Sequence, residues 1–343
     1  MGKLLDAPYV YFGGKSAVAE AVWGRLGYDV PNFIDSFTGS SSILLKRPGW
    51  KPGVNWDEII NDFDGMIANF WRSVKYNPSK TAEYADNPIN ENDLHARHAW
   101  LVGRKKSLRE LLEGDPEYHD PRIAGWWVWG MSCWIGSQFC VGKGAWGLEK
   151  NGDGQNILVK KKEGIVYRKR IQLGGQGVNK SEVFSNRNHV YKWFKALSDR
   201  LRTVKVACGD WTRVTSEFVT LKKDKNITAV FLDPPYSKEA DRNSELYSEE
   251  DLVVAHNVRE WCKKNGNNKS LRIALCGYDI EHEELEGLGW ERYNWKALGG
   301  YSVQGKNGKG KENRSREVIW FSPHCLKTKQ VRVLLKKEIG QIA

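Results

Sequence analysis

Residues Ala229-Val230-Phe231-Leu232 form a short run with no polar side chain, and the run stops against Asp233-Pro234-Pro235-Tyr236. A bounded apolar run of this length reads as a strand, and two prolines without ladder N–H groups end it at Asp233. Similar punctuation marks strands at 32–35, 59–62, 204–207 and 272–276, and helices at 41–45, 65–76 and 247–263. Strands that alternate with helices imply an α/β domain built on a parallel sheet. Between about 65 and 200 the texture changes, with Trp126, Trp127, Trp129, Trp134 and Trp146 and then the basic runs Lys160-Lys161-Lys162 and Arg168-Lys169-Arg170. We therefore expect a sheet domain from 1–64 and 200–343, with a mainly helical inserted domain at 65–199. The Gly-, Lys- and Asn-rich stretch 299–311 is expected to be a mobile loop.

The 343 residues carry 53 Lys and Arg against 42 Asp and Glu, a net charge of +11. Such an excess suits a polyanionic partner, because each phosphate neutralised releases counterions. The six cysteines form no C-x-x-C pair and no histidines cluster at zinc spacing, so no metal is expected and reduced thiols are. The N-terminus lacks a signal peptide pattern. The uncharged stretch 123–142 is broken by glycines and polar residues and is rich in Trp, so it is not expected to span a membrane. A cytoplasmic protein, in a prokaryotic cell or phage-infected host, is expected.

The tip of an α/β strand is where such folds place their sites, and Asp233 sits there. The lone pair of an aromatic amine is delocalised into its ring, which makes the amine a poor nucleophile. A carboxylate and a backbone carbonyl that accept its two hydrogens turn the lone pair outward, toward a methyl donor. Asp233 supplies the carboxylate, Pro234 a carbonyl held by two rigid residues, and Tyr236 a face on which an extruded base can stack. The alternative is a rigid Asp-Pro turn with a tyrosine in the core.

Residues 33–40, Phe-Ile-Asp-Ser-Phe-Thr-Gly-Ser, form a strand, a tight turn and a helix start. That turn is either a pocket for a nucleoside-bearing cofactor, with Gly39 allowing close backbone approach, or an ordinary small-residue turn. Asp62, on the next strand, is either a ribose ligand or the N-cap of the helix at Gly65. Tyr11-Phe12-Gly13-Gly14-Lys15 is either a helix-capping turn or a set of backbone donors with Lys15 facing the cofactor's carboxylate.

These blocks, in this order, resemble the D12-class, or Dam-like, DNA adenine-N6 methyltransferases. The family pattern has aromatic-x-Gly-Gly-Lys, an acidic-x-Phe-x-Gly turn, an acidic residue beside Asn, an inserted recognition region and Asp-Pro-Pro-Tyr. Here they are Tyr11 to Lys15, Asp35 to Gly39, Asn61-Asp62 and Asp233 to Tyr236, followed by 316–319 as the closing strand. The resemblance implies a Rossmann-like domain dependent on S-adenosylmethionine, with an inserted target-recognition domain that binds double-stranded DNA. It implies base flipping and direct transfer to adenine N6 by a site-specific DNA methyltransferase. Tyr11, Gly13, Gly14, Asp35, Phe37, Gly39, Ser40 and Trp211 would bind the cofactor, with Lys15 at its methionine end, Asp62 at the ribose and Asp210 on the adenine side. Asp233, Pro234, Pro235 and Tyr236 would be catalytic.

Two departures stand out. The recognition region lacks the Asn-Gly-x-x-Arg-Tyr-Asn-type stretch of GATC-specific members, so another target is expected, and Ser40 to Ser42 replace the usual Gly or Ala pair. Lys143, Lys160, Lys161, Lys162, Arg168, Lys169 and Arg170 are the candidate DNA contacts, and most of the tryptophans are expected in the core. Alternatives are cytosine-N4 methylation, whose motif usually begins with Ser, adenine methylation of RNA, usually with Asn, and a silent DNA-binding decoy. Nothing indicates a cognate restriction endonuclease, and a monomer or weak dimer is expected.

Overall fold

The computed structural model describes residues 4–9, 11, 13–134, 139–140, 146–150, 152, 156–160, 188–221, 227–235, 249–295 and 317–327. Along the chain run α1 (Ala19–Leu26), β1 (Asn32–Asp35), α2 (Ser42–Leu45), β2 (Asp57–Asp62) and α3 (Gly65–Tyr76). Then follow α4 (Pro78–Ala85), α5 (Glu91–Val102), α6 (Lys105–Gly114), α7 (Pro121–Cys133), β3 (Trp146–Lys150), β4 (Asn156–Lys160) and α8 (Asn188–Leu201). The chain continues with β5 (Lys205–Cys208), α9 (Thr212–Thr215), α10 (Glu217–Thr220), β6 (Thr228–Leu232) and α11 (Glu249–Asn265). It closes with β7 (Leu271–Tyr278), β8 (Glu291–Asn294) and β9 (Glu317–Phe321).

A mixed seven-stranded sheet with flanking helices gives the chain its α/β character. The chain divides into two compact units: 1–4, 15–61 and 211–343 form the first, and 5–14 and 62–210 the second. In the first unit the strand order is β2-β1-β6-β7-β9-β8, and the seventh strand, β5, falls in the second unit. β1 pairs in parallel with β2 (Ile34 opposite Ile59) and with β6 (Ile34 opposite Val230), and β6 pairs in parallel with β7. Every residue of β1 and β6 is buried, as strands covered on both faces require.

The sheet is not purely parallel, as the sequence had led us to expect. β9 runs antiparallel to both β7 and β8 and lies between them. Antiparallel pairing needs no crossover helix, and hydrophobic periodicity carries no information about strand direction.

Arg47 anchors the starts of β1 and β2. Its guanidinium is fully buried, 2.9 Å from Glu58 of β2, and donates to the carbonyls of Tyr28 and Val30. The Trp23 and Trp56 rings lie 4.8 and 3.5 Å from it. In the second unit, Asp64, Asn90 and Asp120 cap α3, α5 and α7 with side-chain oxygens, and prolines open α4 and α7. Tyr9 packs edge-on against Phe70 and Trp127, at 5.3 and 4.8 Å. Buried Arg72 donates to the carbonyls of Leu112, Asp115 and Val206, which ties α3 to α6 and β5. Trp127 and Trp129 are core residues, Trp126 and Trp134 are half-buried, and the side chain of Trp146 lies outside what is described. The 299–311 segment also lies outside the described residues.

Arg47→Met removes the guanidinium that faces buried Glu58, and should cost about 3–5 kcal/mol in urea unfolding. Arg47→Met combined with Glu58→Leu should recover most of that; a single-variant loss within about 1 kcal/mol would show that the pair is dispensable. Acid should destabilise the chain for a separate reason. Burial, with His95 adding, holds His98 down at about 4, and burial with Arg259 holds His282 at about 3. Each imidazole stabilises the fold fully above its ordinary value near 6.5, and that contribution is lost as the pH falls toward the depressed value. Melting temperature should therefore drop between pH 7 and pH 5, and drop less for His98→Phe, which suits the Trp134 and Phe139 rings around it. An identical drop in both proteins would remove His98 as a cause.

Candidate active site

In the first unit the chain leaves β1 toward β2 on one side, whereas β6 pairs on the other. Such a reversal of strand order opens a crevice at the carboxyl ends of the two strands, the usual ligand position in doubly wound sheets. Asp35 ends β1 and Asp233 follows β6, so two acidic residues mark the crevice.

Lys15 connects this strand tip to the start of the unit. It precedes a short 3-10 turn, Ser16–Val18, that runs into α1, and its side chain is only 4% exposed. Its Nζ lies 2.9 Å from Asp233 Oδ2 and 3.9 Å from Glu317 Oε2. Glu317 opens β9 opposite Tyr278, and Cys276 lies two residues back on β7. A buried ammonium thus meets two carboxylates supplied by separate strands. Burial disfavours the Lys15 charge, but Asp233, with Cys276 and Glu317, outweighs it and raises the lysine above its ordinary value. Burial raises Glu317 above the usual carboxylate range and Asp233 adds to this, while Lys15 opposes it. Burial pushes the Cys276 thiol far up, so it stays neutral.

Beside Asp35 runs the turn into α2. Ser36 N–H donates to Phe231 O at 3.3 Å, Thr38 N–H to Asn61 O at 2.9 Å, and Asn61 Nδ2 to Ser36 O at 3.1 Å. These bonds pin the turn to β6 and β2. Gly39 and Ser41 take positive φ angles of 46° and 55°. The value is unusual for serine and marks stored strain of the kind that gathers at functional sites. The hydroxyls of Ser36, Thr38 and Ser41 are buried without a hydrogen-bond partner among the described residues, while Ser40 and Ser42 bond each other at 2.8 Å. Unmatched buried hydroxyls cost about 1–3 kcal/mol each unless a ligand meets them. Phe37 and Trp211 lie 6.2 Å apart at a 31° tilt, and Trp211 meets Trp261 edge-on.

Lys15, Asp35, Phe37, Gly39, Ser40, Trp211, Asp233, Pro234 and Pro235 all fall in the first unit, where Lys15 meets Asp233 and Phe37 lies near Trp211. Tyr11, Gly13, Gly14, Asp62 and Asp210 fall in the second. There Gly14 N–H closes a turn on Tyr11 O at 3.1 Å, and Gly209 N–H donates to Asp62 O at 3.1 Å, which places Asp210 next to the end of β2. Asp62 is not the helix cap: its Oδ1 accepts from the N–H of Asp64, and Asp64 caps α3 through Met66 N–H. Tyr236, Lys143, Lys161, Lys162, Arg168, Lys169 and Arg170 lie outside the described residues, and Lys160 is placed only as the last residue of β4.

Sequence reasoning did not single out Glu317 or the Ser36, Thr38 and Ser41 hydroxyls as site residues. A glutamate leading an apolar strand, Glu-Val-Ile-Trp-Phe, gives no local sign that it will face a lysine some 300 positions away. Among the described residues no group of His, Cys, Asp and Glu is placed to hold a metal, and no helix is long and apolar enough to cross a membrane. A scan against protein-family models finds no match to this sequence, and a search of curated proteins finds none either.

Because Glu317 binds its proton more tightly in the folded chain, its contribution is fullest below the ordinary value near 4.3. It is lost as the pH rises through the raised value. Glu317→Gln should therefore raise the melting temperature at pH 7–8, and the gain should vanish near pH 4. A variant less stable than the parent at pH 8 would show that the Lys15 contact outweighs burial.

Proposed function

We propose that this chain is an S-adenosylmethionine-dependent DNA methyltransferase that acts on the exocyclic amine of adenine. One observation carries the reading: Asp233 sits at the tip of a buried parallel strand, at the switch in strand order, held by a buried lysine and followed by two prolines. The sheet is consistent with a Rossmann-like domain, and the resemblance to the Dam-like enzymes supplies the reaction class. On this reading, residues 65–199 serve as the inserted target-recognition domain.

The residues fit the cofactor. Buried Asp35 and the unmatched hydroxyls of Ser36, Thr38 and Ser41 offer polar partners to its amino, carboxylate and ribose groups, and the Phe37 and Trp211 rings offer apolar faces. The roles of Asp62 and Asp210 rest on the resemblance alone. When bound, S-adenosylmethionine supplies an electrophilic methyl group.

The chain's own residues do the rest. Asp233 accepts one amino hydrogen of the extruded base and the Pro234 carbonyl the other, which frees the nitrogen lone pair. The two prolines hold that carbonyl without a mobile backbone. Lys15 fixes the rotamer of Asp233 through a charge-assisted bond. This differs from the cofactor-carboxylate contact expected for it from the sequence. The stacking role given to Tyr236 rests on the sequence alone.

The protein incubated with labelled cofactor and unmethylated genomic DNA should yield N6-methyladenine in the nuclease digest. Asp233→Ala should lower the rate by at least about 10²–10³-fold, with cofactor binding nearly unchanged. N4-methylcytosine would select the cytosine-directed reading, RNA-only labelling an RNA enzyme, and DNA binding without transfer a decoy.

A further inference from the structure

Arginine and tryptophan share one face of α5 and one face of α7, in the second unit. On α5 and just beyond it stand Arg97, Trp100 and Arg104; on α7 stand Arg122, Trp126 and Trp129. Spacings of three and four residues put each set on one side of its helix. The two sets interleave. The Arg104 guanidinium lies 3.5 Å from the Trp100 ring, and that of Arg122 lies 4.7 Å from Trp100 and 4.2 Å from Trp126. Arg97 lies 5.1 Å from Trp126 and 4.4 Å from Trp129.

The stack is anchored at one end and open at the other. At the buried end, Trp129 donates to Asn87 O at 2.9 Å, and Arg97 meets Asn87 Oδ1 at 3.1 Å and Asp93 at 3.7 Å. At the open end Arg104 and Arg122 are exposed, and Trp100 and Trp126 are half-buried. Neither exposed arginine meets a carboxylate among the described residues. Elsewhere in the unit surface cations find one, as in Lys80–Glu83 and Arg109–Glu113. The sequence enforces the difference: the positions three and four away from Arg104 and Arg122 hold Trp, Leu, Ser, Tyr, His and Gly, none acidic.

A guanidinium held over an indole ring loses little freedom when it binds; one Arg104 N–H also donates to the Trp100 carbonyl at 3.2 Å, which fixes the group further and leaves its other N–H groups to bind. Two such forks, fixed by rings and left without acids, match a run of phosphodiesters. We infer that Arg104 and Arg122, held on Trp100 and Trp126, form a phosphate-clamping surface for the backbone of double-stranded DNA. The inference rests on the proposed function for its choice of partner, and the net charge of +11 agrees with that choice. Phosphate contacts carry no base information, so this surface holds register and leaves target choice to other residues.

The test uses the full chain and a duplex of random sequence, with Kd measured by fluorescence anisotropy across a salt series. Two lost phosphate contacts should lower the slope of log Kd against log salt by about 1.8 in Arg104→Ala/Arg122→Ala. Arg104→Lys/Arg122→Lys keeps the charge without the planar fork, so it should retain the slope while binding less tightly. If the alanine variant unfolds, the lysine variant together with Trp100→Leu, which removes the platform and keeps both charges, reads the same surface through affinity. A slope and affinity unchanged in these variants would overturn the inference. So would a wild-type chain that binds polyglutamate through these arginines and no duplex, which would point to an acidic protein. Methylation assays on the same proteins separate the two proposals. Altered duplex binding without methyl transfer by the wild type would sink the enzyme reading alone, and normal transfer with an unchanged slope would sink the clamp alone.

Discussion

Strand β1 bonds in parallel to β2 on one side and to β6 on the other, and is buried along its whole length. Parallel neighbours deliver their carboxyl ends to the same edge of a sheet, so Asp35 and Asp233 emerge together, more than 190 residues apart in sequence. The turn after β1 then has little freedom. Ser36, Thr38 and Asn61 fasten it to the flanking strands, and the strain at Ser41 follows from a short path into α2. Without that register the carboxylates would face different surroundings, and the unmatched hydroxyls would be ordinary turn residues in water.

Electrostatics at the strand tip follow from the same geometry. A lysine as buried as Lys15 would normally lose its proton, but two carboxylates from β6 and β9 hold the charge in place. An ion pair of this depth adds little net stability and is costly to break. Its effect is to fix Asp233 in one orientation, which the proposed role as acceptor for an amine requires more than it requires strength. Arg47 and Glu58 do comparable work on the opposite side of the unit, where no chemistry is proposed, and there the pair serves the core.

The second unit solves a different problem. Its helices are rich in tryptophan and arginine, and the two residue types cover each other. Buried arginine is satisfied by several carbonyls, as Arg72 shows, whereas surface Arg104 lies over the Trp100 ring and gives a single N–H to its carbonyl. The side chains of the basic runs at 160–162 and 168–170 lie outside what is described, and the arginines seen against tryptophan rings are isolated ones spaced along helices.

The sequence by itself determined the local elements. Apolar runs, amphipathic spacing and the Asp-Pro-Pro turn placed β1, α3, β6 and α11 within a few residues, because those signals act over one or two turns of chain. It also marked Asp233, Asp35 and Lys15 as unusual, since short motifs of fixed spacing are visible without a fold. The tertiary structure alone decided that Lys15 faces Asp233 and Glu317, that β9 runs antiparallel between β7 and β8, and that Arg104 and Arg122 stack with Trp100 and Trp126. Side chains meet across long separations through strand register and helix packing, which no local periodicity encodes.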